Sequence, residues 1–198
     1  MTSLIDIGPS AAVPSEPARV VVADPAWRFG DSLPGPKRGA SKHYDTMTTA
    51  KICALQLPPI ASDAVLFLWR VAAMMQDALD VAAAWGFVPK SEIVWVKTTR
   101  RASPDAGATK LHFGMGRQVR ASHESCIIAT RGKAPPQCRS IRSVFMAPVG
   151  VHSAKPDAFY ELVEQMHEGP YLELFARRQR PGWLCIGSDL GTRLEAAS

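Results

Sequence analysis

A chain of 198 residues with 46% hydrophobic content can bury one full core, and nothing in its pattern points to two. Its 23 Lys and Arg against 18 Asp and Glu leave a formal charge of +5, a modest pointer to a polyanionic partner. The most apolar window, residues 64–75, is broken by Arg70 and falls short of the roughly 20 residues a membrane helix needs, so no membrane association is expected.

Residues 1–17, rich in Ala, Pro and Ser, read as a flexible lead-in, with the domain proper over 18–198. They carry Asp6, Pro9 and no early Lys or Arg, unlike a secretory signal. Val20 to Ala23 then read as a buried strand, stopped by Asp24 and Pro25 because proline cannot continue a central ladder. A Gly/Pro/Ser-rich loop runs from Arg28 to His43, and Thr48 can cap a short helix ending at Leu55. Ala64 to Trp69 form the next strand. "AAMMQDALDVAAAWGF" follows as an amphipathic helix with Met75, Leu79, Ala82 and Ala83 on one stripe and Gly86 near its end.

Ser91 to Lys97 and Glu124 to Thr130 read as strands separated by a basic loop from Thr98 to about Ala121. A second basic stretch, "RGKAPPQCRSIR", leads to a strand over Ser143 to Pro148. Pro156 is expected in the first turn of a helix whose Phe159, Leu162, Val163 and Met166 share a face. Tyr171 to Ala176 and Trp183 to Ser188 are the last strands. Seven strands interleaved with three helices imply an α/β fold: a single three-layer doubly wound sheet.

Nucleotide-phosphate loops, the G-x-S-x-G elbow and H-E-x-x-H are all missing from the sequence. Cys53, Cys126, Cys138 and Cys185 include no C-x-x-C pair, and His123 with Cys126 is too little for a metal site, so no metal is expected. Buried free thiols in a reducing cytoplasm fit this pattern. What stands out is Asp-Pro-Ala-Trp at the carboxyl end of the first strand, the end at which open α/β sheets bind ligands. The other feature is basic loops: Arg28, Lys37, Arg38 and Lys42; Arg100, Arg101, Lys110, Arg117 and Arg120; Arg131, Lys133, Arg139 and Arg142. Gathered on one edge they would bind phosphates; otherwise they are solvated surface charge. Trp69, Trp85 and Trp95 lie inside regular elements and are expected in the core.

Eight segments, in order, resemble one family over nearly the whole chain, the MT-A-seventy family of adenine N(6) methyltransferases in its prokaryotic or phage form. "ADPAW" is similar to its catalytic D-P-P-W and "HYDTMT" to its Y-x-T-M segment. "LFLWRVAAMMQDALDVAAAWGF" and "EIVWVKT" are similar to its next strand, helix and strand. "GRQVRASHESCIIATRGK" is similar to its substrate side, and "HSAKPDAFYELVE", "LELFAR" and "GWLCIGSDL" to its cofactor half.

The resemblance implies a Rossmann-like sheet with the catalytic motif ahead of the cofactor half, and methyl transfer from S-adenosylmethionine to the 6-amino group of adenine in nucleic acid. It places Asp24, Pro25, Ala26 and Trp27 at the catalytic turn. The Asp24 carboxylate and Pro25 carbonyl would accept from the amine, and Trp27 would support or stack near the base. Ala26 departs from the family's second proline, which should loosen the turn without removing its chemistry. For the cofactor it implies Asp24, Lys155 toward the methionine carboxylate, Phe175 and Arg177 near the adenosine, and Gln179, Ser188 and Asp189 toward the ribose. Ser188 and Asp189 stand where the family has Asn-Gln or Asn-Glu, which puts the shorter Ser188 contact in doubt.

Without an anionic ligand Lys155 would be a solvated lysine at a helix start, where the dipole disfavours a cation. For the substrate, Arg117, Arg120 and Glu124 fall on the substrate side. His43 and Tyr44 can stack on the base or cover the cofactor, Tyr44 being equally readable as loop packing. DNA is favoured over RNA as the substrate, from a base that is flipped out or single-stranded. Alternatives are an RNA adenine methyltransferase, a catalytically silent nucleic-acid-binding subunit, and a cytosine-amine methyltransferase. A homodimer or a partner methyltransferase subunit is the expected assembly.

Overall fold

The computed structural model describes residues 16–28, 46–99, 110–116, 118–150, 154–192 and 194. Residues 1–15 of the lead-in, with Lys37, Arg38, Lys42, His43, Tyr44, Arg100, Arg101 and Arg117, lie outside them. Seven strands form one sheet in the order β5-β3-β4-β2-β1-β6-β7. They are β1 (Ala18–Ala23), β2 (Ile60–Arg70), β3 (Val88–Thr98), β4 (His123–Arg131), β5 (Val144–Pro148), β6 (Tyr171–Leu174) and β7 (Trp183–Ile186). β4 pairs antiparallel with both β2 and β3, and every other pairing is parallel. The helices are α1 (Thr49–Cys53), α2 (Met75–Ala84) and α3 (Asp157–Met166).

Strand alternation divides the core in two. Val21, Ala23, Leu66 and Leu68 face α1 and α2, packing with Ile52, Ala78, Val81 and Trp85. Val20, Val22, Phe67 and Trp69 face α3, where Phe159, Tyr160 and Val163 meet them. The sheet is therefore the middle of three layers, and β1 and β2 are buried on both faces, which is why their sequences are continuous apolar runs rather than alternating ones. Phe159 is the hub of the second layer: it meets Phe67 edge-on at 6.0 Å, Trp69 at 4.7 Å and Tyr160 at 5.4 Å, and stacks with Phe145 at 6.3 Å.

Local signals account for the helix ends. The Thr48 hydroxyl accepts from the Lys51 N–H at 3.3 Å, capping α1. Gly86 adopts φ +77 just past α2, the left-handed conformation that ends a helix. Three expectations need correction. The stripe of α2 is rotated: Met75 is 52% exposed and Ala83 also faces solvent, while Ala78, Val81 and Ala82 are buried. In so alanine-rich a helix the apolar period is nearly degenerate, and docking decides the face, with the Trp85 indole N–H donating to the Ile52 carbonyl at 3.1 Å. Pro156 is the N-cap of α3, one residue before its first turn. β6 and β7 end at Leu174 and Ile186, because Phe175 leaves the strand conformation with φ +64 and Gly187 turns the chain into a short 3-10 turn.

Replacing Phe159 with Ala is expected to lower stability by about 3–5 kcal/mol, as for a fully buried aromatic. Met75→Lys should stay within about 0.5 kcal/mol of the parent. Urea unfolding followed by circular dichroism checks both values, and a large loss for Met75→Lys would restore the stripe expected from the sequence.

Candidate active site

The chain leaves β1 for β2 on one side and later returns to β6 on its other side, continuing outward to β7. The carboxyl ends of β1 and β6 therefore flank a topological switch point, where the connections diverge and leave a crevice. Asp24 and Phe175 are the first residues past those two ends. Because β4 runs against its neighbours, its amino end lies at this same edge: Ser125 pairs with Arg70 at the end of β2, and Glu124 with Trp95 near the end of β3. One edge of the sheet thus collects residues 24, 97, 124, 155, 175 and 188 from six separate segments.

The Asp24 turn is held by backbone. The Trp27 N–H donates to the Pro25 carbonyl at 2.8 Å, closing a three-residue turn centred on Ala26. Ala26 is not among the residues with positive φ, so the turn is the inverse form, whose φ near −75° is also proline's. Ala26 thus occupies a site that a proline would fit. Two further bonds tie the turn to the segment before α1: Met47 N–H to the Ala26 carbonyl and Arg28 N–H to the Met47 carbonyl, both 2.9 Å. Trp27 is buried and its indole N–H donates to the Trp69 carbonyl at 3.0 Å, so it braces the turn from below rather than presenting a stacking face. The Pro25 oxygen keeps a second lone pair.

Lys155 lies in the approach to α3 with a side chain only 7% exposed. Its ammonium donates to Asp24 Oδ2 at 2.6 Å, meets Glu124 Oε2 at 3.2 Å and sits 5.0 Å from the centroid of the Trp69 ring. Glu124 Oε1 in turn accepts from Lys97 Nζ at 2.5 Å, and Lys97 lies 5.1 Å from the Trp95 ring. Four charges alternate along Asp24, Lys155, Glu124 and Lys97. Burial pushes the Lys155 pKa down, but the two carboxylates outweigh it and hold the ammonium above the usual lysine range. Burial pushes Glu124 up, but Lys155 and Lys97 outweigh it and hold the carboxyl below its usual range.

Past β6, Phe175 and Arg177 are half-buried and Gln179, within the connection to β7, is exposed; past β7, Ser188 and Asp189 are exposed at this edge. The segment after β6 is clamped to the start of α3: Asp157 accepts from Arg180 at 2.5 Å and from Arg178. Arg180 also stacks 3.8 Å from the Tyr160 centroid. Gly187 lies so close to the preceding loop that a Cβ there would be 2.0 Å from the Ala176 carbonyl oxygen. These contacts fix how the ends of β6 and β7 stand beside Lys155.

The basic loops do not all share this edge. Arg28, Lys110 and Arg120 emerge here, exposed. Arg131 and Lys133 leave β4 at its carboxyl end, which antiparallel pairing puts on the opposite edge, beside Asp63 and Ala64 at the start of the buried run of β2. Strand direction is invisible in the sequence, so the expectation of a single basic edge fails for that third loop. The sequence reading also passed over Lys97, Trp69 and the Asp157 clamp. Only Lys97 had a usable signal, a lysine two residues after Trp95, and so on the same face, directly after the apolar run Ile93 to Val96.

A mainly parallel sheet of seven strands between helical layers, with this cluster at its switch point, defines a Rossmann-like methyltransferase fold. The sequence model of the family described as MT-A70 matches residues 18–189, and the chain belongs to that family. It is 32% identical over 180 residues to the N(6)-adenosine-methyltransferase MT-A70-like protein of Arabidopsis thaliana, covering 88% of this chain and 24% of that one. Against the human N(6)-adenosine-methyltransferase catalytic subunit METTL3 it is 29% identical over 176 residues, covering 86% and 28%. Against the Type II methyltransferase M.MunI of a Mycoplasma species the figures are 27% over 192 residues, 86% and 77%. The chain spans about a quarter of the length of the eukaryotic relatives.

Ala26→Pro is expected to raise stability by about 0.4–1 kcal/mol, by restricting the unfolded chain at a position whose native φ proline shares. A urea midpoint that falls would show the turn to be of another kind. The ion cluster sets a pH dependence. Glu124, with its pKa depressed on folding, adds stability above its ordinary value of 4.5 that is lost as pH falls through the folded value. Lys155, with its pKa raised, adds stability below 10.5 that is lost as pH rises through the folded value. In urea titrations at several pH values, the advantage of the parent over Glu124→Gln should be level between these limits and fade below pH 4.5.

Proposed function

We propose that this chain transfers a methyl group from S-adenosylmethionine to the 6-amino group of adenine in nucleic acid, with DNA favoured over RNA. The observation that carries this reading is the Asp24 carboxylate at the switch-point crevice, held through Oδ2 by the buried Lys155. The likeness to a type II methyltransferase runs through 77% of that protein's length, and it supports DNA as the polymer.

The donor set suits the cofactor. Lys155 has three N–H donors, and the two carboxylates engage two, leaving one for the methionine carboxylate. The Trp69 indole N–H, buried beneath Lys155, has no hydrogen-bond partner among the described residues. Gln179, Ser188 and Asp189 stand exposed past β6 and β7, where Asp189 would accept from a ribose diol and Phe175 and Arg177 would flank the adenosine. When bound, the cofactor would supply an electrophilic methyl group on a sulfonium, whose sulfur is a good leaving group because it departs as a neutral thioether.

The protein's part is to prepare the amine and hold the line of attack. An adenine amine is a weak nucleophile because its lone pair is delocalised into the ring. Asp24 Oδ1 and the second lone pair of the Pro25 carbonyl would accept its two hydrogens, drawing the nitrogen toward a tetrahedral shape and favouring attack. The proton shed by the methylated amine leaves along the bond to Asp24. Trp27 and the Met47 bonds keep both acceptors in place, so little reorganisation accompanies the reaction. Glu124 and Arg120 would orient the nucleotide, and Lys110 and Arg28 would meet phosphates. Among the described residues no helix is long and apolar enough to cross a membrane. The setting that fits the free thiols of Cys126 and Cys185 is the cytoplasm. A homodimer or a partner subunit would complete the nucleic-acid groove.

Labelled methyl transfer to matched single- and double-stranded DNA and RNA, with nucleoside mass spectrometry of the product, tests the reading. Formation of 6-methyladenine in DNA is expected, and its appearance only in RNA would reverse the polymer. Asp24→Ala should cost at least about 100-fold in rate while the unfolding transition is retained. An active Asp24→Ala protein would refute the assigned chemistry.

A further inference from the structure

Residues 110–116 and 118–122 form the two limbs of a narrow hairpin at the same edge as Asp24. The Thr99 N–H donates to the Lys110 carbonyl at 2.9 Å, and the His112 N–H to the Lys97 carbonyl at 2.8 Å. The return limb is tied by Gly114 N–H to the Ala121 carbonyl at 3.2 Å and Lys97 N–H to the Ser122 carbonyl at 2.8 Å. The Ser122 hydroxyl closes the base on the His112 carbonyl at 2.7 Å. A Cβ on Gly114 would lie 2.2 Å from the Ala121 oxygen, and one on Gly116 would lie 2.0 Å from the Val119 oxygen. One side of the ribbon is therefore closed against its own return limb, and the alternating side chains are turned outward. Leu111, Phe113 and Met115 are 49%, 74% and 84% exposed, and Val119 on the return limb is 76% exposed.

These outward side chains contribute little to the core, so their exposure needs a partner to explain it. Three features favour nucleic acid. Residues 110–122 carry Lys110, Arg117 and Arg120 and no carboxylate. The Arg120 guanidinium lies 4.9 Å from the Phe113 centroid, a cation at the shoulder of the apolar tip. The hairpin springs from Lys97 and Ser122, and Lys97 is itself bonded to Glu124 of the charged cluster.

We propose that this hairpin is a wedge for duplex DNA: Phe113 and Met115 enter the base stack beside the target adenine and fill the space it vacates, while Lys110 and Arg120 hold the flanking phosphates. The inference rests on the DNA reading above. It gives that reading a route to the base, since an amine inside a duplex is beyond the reach of Asp24 until the base is extruded, and apolar side chains wedged between steps offset the lost stacking.

A fluorescein-labelled duplex of mixed sequence with one central abasic site, compared with the intact duplex in anisotropy titrations, reads the wedge directly. The parent protein should bind the abasic duplex about tenfold more tightly, because there the gap already exists. The double variant Phe113→Ala, Met115→Ala changes only exposed side chains. It should bind the intact duplex within about twofold of the parent, since Lys110 and Arg120 are retained, and lose the preference. Equal affinity of the parent for both duplexes, or a preference that survives the double substitution, overturns the wedge. So does conversion of a dimer to a monomer by the same substitutions in light scattering, which would make the hairpin a contact between copies. Failure of the underlying reading shows separately, as absence of methyl transfer to any polymer by the parent protein.

Discussion

The site depends on a single buried cation. Lys155 carries its charge into a place with 7% exposure, and it is tolerable there only because Asp24 and Glu124 converge on it and the Trp69 ring lies beneath it. A pair of this kind adds little to net stability relative to apolar packing, yet removing one partner is costly, about 3–5 kcal/mol in typical cases. Its value is positional. Asp24 follows β1, Glu124 opens β4 and Lys155 precedes α3, so the ammonium draws three distant segments to one point.

The sheet prepares that convergence. Were β4 parallel to β2, Glu124 would open at the far edge, away from Asp24. Antiparallel pairing of β4 brings its first residues beside the last residues of β2 and β3. The same reversal sends Arg131 and Lys133 away from the site, so one topological fact both completes the acidic-basic cluster and removes a third of the basic loops from it. The aromatic layer around Phe159 then fixes α3 against the sheet, and with it the height at which Lys155 meets the edge.

Rigidity at the Asp24 turn has a different source from the one the family pattern implies. A second proline would stiffen the turn covalently. Here Ala26 leaves that restraint out, and the turn is held by the Trp27 N–H closing on Pro25, by two bonds to Met47 and by the Trp27 indole on Trp69. Loosening expected from the substitution alone is countered by contacts from segments about 20 and 42 residues away in sequence.

Much of this protein is determined locally and was legible in the chain itself. Continuous apolar runs marked β1 and the buried part of β2, Thr48 marked the start of α1, Gly86 the end of α2, and Asp-Pro-Ala-Trp marked the turn that ends β1, because burial on both faces, side-chain capping and proline geometry act within a few residues. The first residues of β3, Val88 to Lys90, gave no such sign, being exposed, and became strand only by pairing with β4. The face of α2, the direction of β4, the pairing of Lys155 with two carboxylates and the outward turn of Phe113 and Met115 were likewise decided in three dimensions. Each depends on which element lies alongside, and neither strand direction nor the partner of a buried charge leaves a trace in local sequence.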